Sequence, residues 1–249
     1  MRLAYWMLAG VCVVWAGNAL AAGEAKDAWE TSVAVGANIT RGNSETMLLN
    51  GSAVTERKGG VNECRFSVEG NYGETTVTQA DGTEDTQANV QNAKGAATYR
   101  RLFNERLYGA LNADLSHDDI ADIEYRLIVG PALGYYFIKS DRNTLSSEAG
   151  VNYIQDKVAG DEDNRYALRL AERSEHKIGA TSKVWQSAEY LPTVDDFSQY
   201  LLNAELGAEA AMTTKVSLRV VLQDKYNSEP GAGKDQNDLT LIAGVSYKL

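Results

Sequence analysis

Few residues in this chain have types and spacing suited to chemistry. Ser116, His117 and Asp118 stand in consecutive positions and carry the hydroxyl, imidazole and carboxylate of an acyl-transfer site. Such a site needs its groups within hydrogen-bond reach of one another. Neighbours along a strand point to opposite faces, which separates His117 from Ser116. Asp161-Glu162-Asp163-Asn164 and the run from Asp81 to Asp85 hold the hard oxygen ligands that a divalent cation takes. Neither run has the spacing of a calcium loop, and both read as solvated acidic loops. Arg165, Arg169 and Arg173 recur at every fourth residue, so on a strand they form a basic ladder along one face. Cys64 is read as an outward apolar residue rather than a redox group.

What must position these residues is a succession of strands. From Trp29 onward apolar and polar residues alternate with period two, and no helical period is evident. The pattern gives about twelve strands joined by turns. The last, Leu239 to Leu249, sets Leu239, Leu241, Ala243, Val245, Tyr247 and Leu249 on one side, with Asp238, Thr240, Gly244, Ser246 and Lys248 on the other. Only Ile242 interrupts it. This strand, with Gly244, Val245, Tyr247 and the terminal Leu249, resembles the closing strand of Gram-negative outer-membrane barrels. The resemblance implies pairing with the first strand and reading by the barrel-assembly machinery; the signal usually ends in Phe, where this chain has Leu.

The amino terminus is consistent with export. Arg2, an apolar run from Leu3 to Trp15, and Ala19-Leu20-Ala21 have the order of a secretory signal, expected to span 1–21 and to leave a barrel domain over 22–249. Cys12 falls inside that leader and Val11 before it is wrong for a lipoprotein site. The formal net charge is −10, and loss of Arg2 makes the mature chain more negative still, which argues against a nucleic-acid partner. No stretch is apolar for the ~20 residues a membrane helix needs. With Cys12 removed, Cys64 has no partner for a disulfide.

The connections are expected to alternate in length. Tight turns fall near Lys58-Gly60, Leu102-Asn104, Lys139-Asn143, Ile178-Thr181 and Met212-Thr214. Longer loops are expected at 74–86, 116–123, 155–164, 192–197 and 227–236, with the turn at Gly42-Asn43 as a short exception. Acidic residues gather in the long loops and basic residues in the short turns. Pro131, lacking a ladder donor, predicts a bulge or kink. Tyr72, Tyr125, Tyr153, Tyr166, Tyr190, Tyr200 and Tyr226 fall near the long-loop ends of their strands. Trp29, Phe103, Tyr136, Phe137 and Tyr247 fall near the short-turn ends. Short turns on one side, long loops on the other and two aromatic belts are the pattern of an antiparallel transmembrane β-barrel of the outer-membrane type. Closure follows because lipid leaves edge N–H and C=O groups unpaired.

The expected interior carries both signs: Glu63, Glu69, Glu124, Glu148, Glu205 and Glu209 beside Arg65, Arg126, Arg165, Arg169, Arg173, Arg219 and Lys225. Balanced charge reads as salt-bridged filling. His117 and His176 are expected at opposite ends of the barrel and cannot serve one site.

Thr40-Arg41-Gly42-Asn43-Ser44-Glu45-Thr46 after a Trp-led strand resembles the signature of the salt-induced outer membrane protein family, the YdiY-like proteins, a domain of unknown function. Further matches are Tyr125-Arg126 with Gly130 and Leu133-Gly134-Tyr135, then Tyr226-Asn227-Ser228-Glu229-Pro230, then Gly244-Val245-Ser246-Tyr247. The resemblance implies an outer-membrane barrel and a link to salt, and brings no activity, catalytic residue, metal or cofactor. The expected function is an integral outer-membrane barrel, structural or weakly channel-forming, in contact with outer-membrane lipids and lipopolysaccharide. The alternatives are a narrow channel for small or anionic solutes using Arg165, Arg169 and Arg173, and a lipid-modifying enzyme centred on His117.

Overall fold

A computed structural model describes residues 28–40, 44–78 and 83–249. The expected leader 1–21, the Gly42-Asn43 turn and Asp81 lie outside the described residues. Twelve strands follow in order: β1 (Trp29–Thr40), β2 (Ser44–Arg57), β3 (Asn62–Thr78), β4 (Glu84–Leu102), β5 (Leu107–Asp118), β6 (Ile123–Lys139), β7 (Asn143–Val158), β8 (Asp161–Ile178), β9 (Ser182–Pro192), β10 (Tyr200–Ala211), β11 (Val216–Asn227) and β12 (Asn237–Lys248). Each pairs antiparallel with its neighbours in sequence, and β1 pairs with β12, so the sheet is a closed barrel.

The alternation read from the sequence sets which side chains look outward. Val35 is 68% exposed, Leu133 62% and Leu239 65%, and each belongs to a strand whose intervening residues face the lumen. An apolar band on the outer wall with the polar groups inside is the inverse of a soluble protein, and it suits hydrocarbon as solvent. Around one rim Tyr153 packs on Tyr166, and Tyr200 packs on both Tyr190 and Tyr226, with ring centroids 5.3–5.6 Å apart. At the other, Trp29 stacks on Phe66 and Tyr135 meets Phe137 edge-on. Tyr136, expected in that second belt, instead turns inward and is 7% exposed. Its ring packs on Tyr108 at 4.9 Å, because the even positions of β6 face the lumen.

Several expected loops are strand. β3 continues to Thr78 and β4 begins at Glu84. β7 and β8 meet across Ala159-Gly160, whose φ values of 52° and 89° are those of a primed two-residue hairpin turn. Polar composition at 74–86 and 155–164 concealed this: a strand rising above the membrane faces water on both sides, so its alternation disappears. β4 with 19 residues and β8 with 18 exceed the ~9–11 a tilted strand needs to span a bilayer. The longer connections that remain on this side, after β9 (193–199) and after β11 (228–236), lie beside shorter strands.

Pro131 makes no bulge. The β5–β6 register runs unbroken through Leu111 and Pro131, while the irregularities fall at Ser116/Asp118, Ile123/Tyr125 and Tyr136/Ile138. On its β7 side the registered pairs skip Gly130 and Pro131 and resume at Ala132 in the same register, so the missing N–H interrupts the ladder locally without shifting it. Glu124, expected in the lumen, sits in the Ile123/Tyr125 irregularity. There it is 53% exposed in its side chain and binds Lys157 at 2.8 Å on the rim.

Candidate functional site

Among the described residues, polar side chains from many strands converge in the barrel interior. Its centre is Glu148 on β7, with a side chain only 5% exposed. Arg100 Nη2 donates to its Oε1 at 2.7 Å, and Arg169 Nη1 to its Oε2 at 2.5 Å. The Tyr108 hydroxyl donates to Oε1 at 3.0 Å and Asn112 Nδ2 reaches Oε2 at 3.5 Å. Donors from β4, β5 and β8 thus meet one carboxylate of β7. Arg169 Nε also donates to Glu189 at 2.6 Å, and the Arg100 guanidinium lies over the Tyr108 ring at 5.1 Å.

Toward the long-strand end a second network joins Arg126, Asp156, Arg165 and Asp163. Arg126 Nε donates to Asp156 at 2.7 Å, and Arg165 donates to Asp156 at 3.1 and 3.2 Å and to Asp163 at 2.8 Å. Beside it Ile154, Ala167, Leu191 and Leu201 form an apolar cluster inside the lumen, with Ile128 against it. These buried side chains leave the β7–β10 wall of the lumen apolar at this level. On the β2–β4 wall Asn50, Asn71 and Asn92 pass hydrogen bonds from one to the next at 2.7 and 2.8 Å.

The mouth above is crossed by a loop. Residues 228–236 leave β11, on the wall opposite β5 and β6, and Lys234 reaches Asp122 at 2.8 Å in the β5–β6 connection. The backbone continues that contact around the rim: Ala159 N–H donates to Asp122 O at 2.8 Å. Asp122 holds a positive φ of 54°. In the 193–199 loop the Ser198 hydroxyl and N–H both donate to Asp196 at 2.6 and 2.9 Å, holding its carboxyl below the usual carboxylate range.

Around the Glu148 centre the lumen keeps a cavity of about 350 Å³, which extends from Lys225 to Lys58 in the β2–β3 turn. At this end Tyr108, Ala110, Ala132 and Tyr136 cover the β5–β6 wall, and the Tyr136 hydroxyl donates to Glu63 at 3.3 Å. Trp185 also turns inward, 6% exposed, with Nε1 donating to Glu205 at 2.6 Å and the Arg219 guanidinium 5.2 Å above its ring.

Arg165, Arg169 and Arg173 all occupy the inward face of β8, but they do not act as one ladder. Arg165 and Arg169 are each neutralised by two carboxylates; Arg173 stands apart. Gly244, Val245 and Tyr247 lie in the registered seam with β1, and the Leu249 N–H donates to Thr31 O at 3.0 Å. The apolar residues of the lumen escaped the sequence reading, which assigned apolar positions to the outer face. Their signal was present: Ile128, Ile154, Leu191, Leu201 and Val221 stand on the polar phase of their strands, as Ile242 does in β12.

The acyl-transfer constellation does not assemble. Ser116 and Asp118 fall on the lumen phase of β5 and His117 on the outer phase. His117 is an exposed rim residue whose Nδ1 bonds the Glu124 carbonyl at 2.9 Å, with Nε2 3.2 Å from Asp119. His176, three strands away and at the opposite rim, bonds Asn143 through Nδ1. Asp161, Glu162 and Asp163 alternate sides within β8, and among the described residues no three His, Cys, Asp or Glu side chains gather as a metal site.

No curated protein matches the chain. Among solved structures, the NanC porin has 13% identity and a TM-score of 0.53, covering 88% of this chain and 100% of its own. The KdgM porin has 10% identity and a TM-score of 0.45, covering 89% and 99%. The first likeness shows a shared fold, the closed barrel of outer-membrane porins. The family described as "Protein of unknown function, DUF481" matches residues 33–249, nearly all of the barrel, and the chain belongs to that family.

Proposed function

We propose that this protein is a resident of the Gram-negative outer membrane whose barrel is filled and does not conduct, serving the envelope as a structural element under salt stress. The observation that carries this is the stack of obstructions on the axis. The 228–236 loop latched by Lys234 to Asp122 lies above the Arg126–Asp156–Arg165 network and the Ile154–Leu191–Leu201 cluster. The barrel fold supports the outer membrane as its location, and the leader-like segment 1–21 supports export. Gly244, Val245, Tyr247 and Leu249 suit recognition by the barrel-assembly machinery, and the apolar outer band suits contact with lipids and lipopolysaccharide. The link to salt rests on the resemblance of residues 40–46 and the later motifs to the salt-induced outer membrane proteins.

A second reading, a narrow channel for small anions, draws on the fold shared with the NanC porin and on Arg173. Planar-bilayer recording of the folded barrel decides between them. Silence is expected, and silence should persist after deletion of 229–235, because the apolar cluster still fills the axis. Steady unitary currents from the intact protein would make it a channel.

A further inference from the structure

The lumen arginines are compensated unevenly. Arg65, Arg100, Arg126, Arg165 and Arg169 each reach a carboxylate at 3.1 Å or less. Arg173 and Arg219 reach none among the described residues; Arg219 lies over the Trp185 ring, whereas Arg173 makes no hydrogen bond or ring contact. Its side chain projects from β8 between Ser146 and Ser187, its register partners on β7 and β9. Arg65 and Arg100 stand close enough to repel it, and Glu205 and Glu175 are the carboxylates within electrostatic range. Arg65 engages Glu56 through Nη1 alone, Arg100 engages Glu148 through Nη2 alone, and Arg100 Nε is buried without a partner. A guanidinium carries five N–H donors in a planar fork, so donors remain on all three. Arg65, Arg100 and Arg173 all line the cavity of about 350 Å³.

A guanidinium with no carboxylate in direct contact, beside two others in a partly enclosed space, is stabilised when an anion joins it. We propose that this cavity binds a small oxyanion held by Arg173 together with Arg65 and Arg100. Several oxygens bearing lone pairs can each take a fork N–H, and charge-assisted bonds of this kind are the strong ones. A spherical halide offers no such match. The cavity has room for an ion of phosphate size with its water. It extends to Lys58 at the short-turn end, while the loop and the apolar cluster close the other side. Entry is therefore from the short-turn side, the side that faces the periplasm in outer-membrane barrels. The site does not depend on whether the barrel conducts.

Calorimetric titration of the folded barrel in detergent with inorganic phosphate tests this. One saturating site is expected, weakened about tenfold or more in Arg173→Gln through loss of charge-assisted hydrogen bonds. Arg173→Lys, which keeps the charge and loses the fork, should fall between the two and serves if the glutamine variant does not fold. Lys177→Gln removes an exposed charge near the end of β8, outside the cavity lining, and should bind as the parent does. Absence of saturable heat, equal affinity for chloride, unchanged binding in Arg173→Gln, or an equal loss in Lys177→Gln would each overturn the site.

Discussion

Replacing Gly244 with valine is expected to stop the barrel from closing. Gly244 pairs with Gly36 in the β1–β12 seam. A Cβ at 244 would lie 2.2 Å from the Val35 carbonyl oxygen and 2.8 Å from Gly36 Cα, and one at Gly36 would lie 2.7 Å from Ala243 O. These are backbone atoms, so relief requires the two strands to part. The registered seam runs only from Ser32 to Gly36 against Gly244 to Lys248, leaving little ladder to absorb the strain. Each backbone group left unpaired in lipid costs several kcal/mol, and about 1.4 kcal/mol is already a tenfold change in the folded population. The yield of compact, heat-modifiable barrel on refolding into lipid vesicles should drop by about tenfold or more. Gly51 supplies the comparison: it lies on the outer phase of β2 and a Cβ there would meet nothing within 4 Å. Gly51→Val should refold like the parent. Equal yields from both variants would show that the seam tolerates side chains and that its glycines serve another purpose.

Glu148→Ala is expected to be the most destabilising single change in the lumen. It strands Arg100, which among the described residues has no other carboxylate within ion-pair distance, and removes one of two partners from Arg169. The Tyr108 hydroxyl loses its acceptor as well. Deleting one partner of a buried, hydrogen-bonded ion pair costs on the order of 3–5 kcal/mol, to be read as a fall in the urea midpoint of the folded barrel. Glu56 also binds two cations, Lys58 and Arg65, but their side chains are 64% and 42% exposed. Solvent screens such pairs, so Glu56→Ala should cost about 1 kcal/mol or less. The double variant Glu148→Ala/Arg100→Gln should recover part of the loss, because the second change removes the charge that the first left uncompensated. No recovery would mean that Glu148 acts through packing instead of charge.

The phase of the strands was legible because hydrocarbon outside and polar groups inside impose period two wherever a strand crosses the membrane. That condition predicted the outward Leu239, Leu241 and Val245 of β12 and the inward Arg165, Arg169 and Arg173 of β8. It failed where its physical cause stops. Above the band both faces of β3, β4, β7 and β8 meet water, so their upper turns read as loops. Inside the lumen Ile154, Leu191 and Leu201 found apolar partners on other strands, so their hydrophobicity said nothing about lipid. Tyr136 was placed in a belt for the same reason: an aromatic ring suits an interface and a packed interior equally well.

The linear chain therefore determined the strand order, the outward set and the balance of charge inside, since each depends only on a residue and its near neighbours. Which carboxylate met which arginine was decided by ring closure. Glu148 and Arg100 are far apart in sequence and come together only because β4 and β7 curve around a common axis. The same curvature brought Arg173 and Arg65 to the wall of one cavity, and it carried the 228–236 loop over the mouth to Asp122. Period two gives the side on which a residue lies; the partner it finds there depends on the radius and register of the closed sheet.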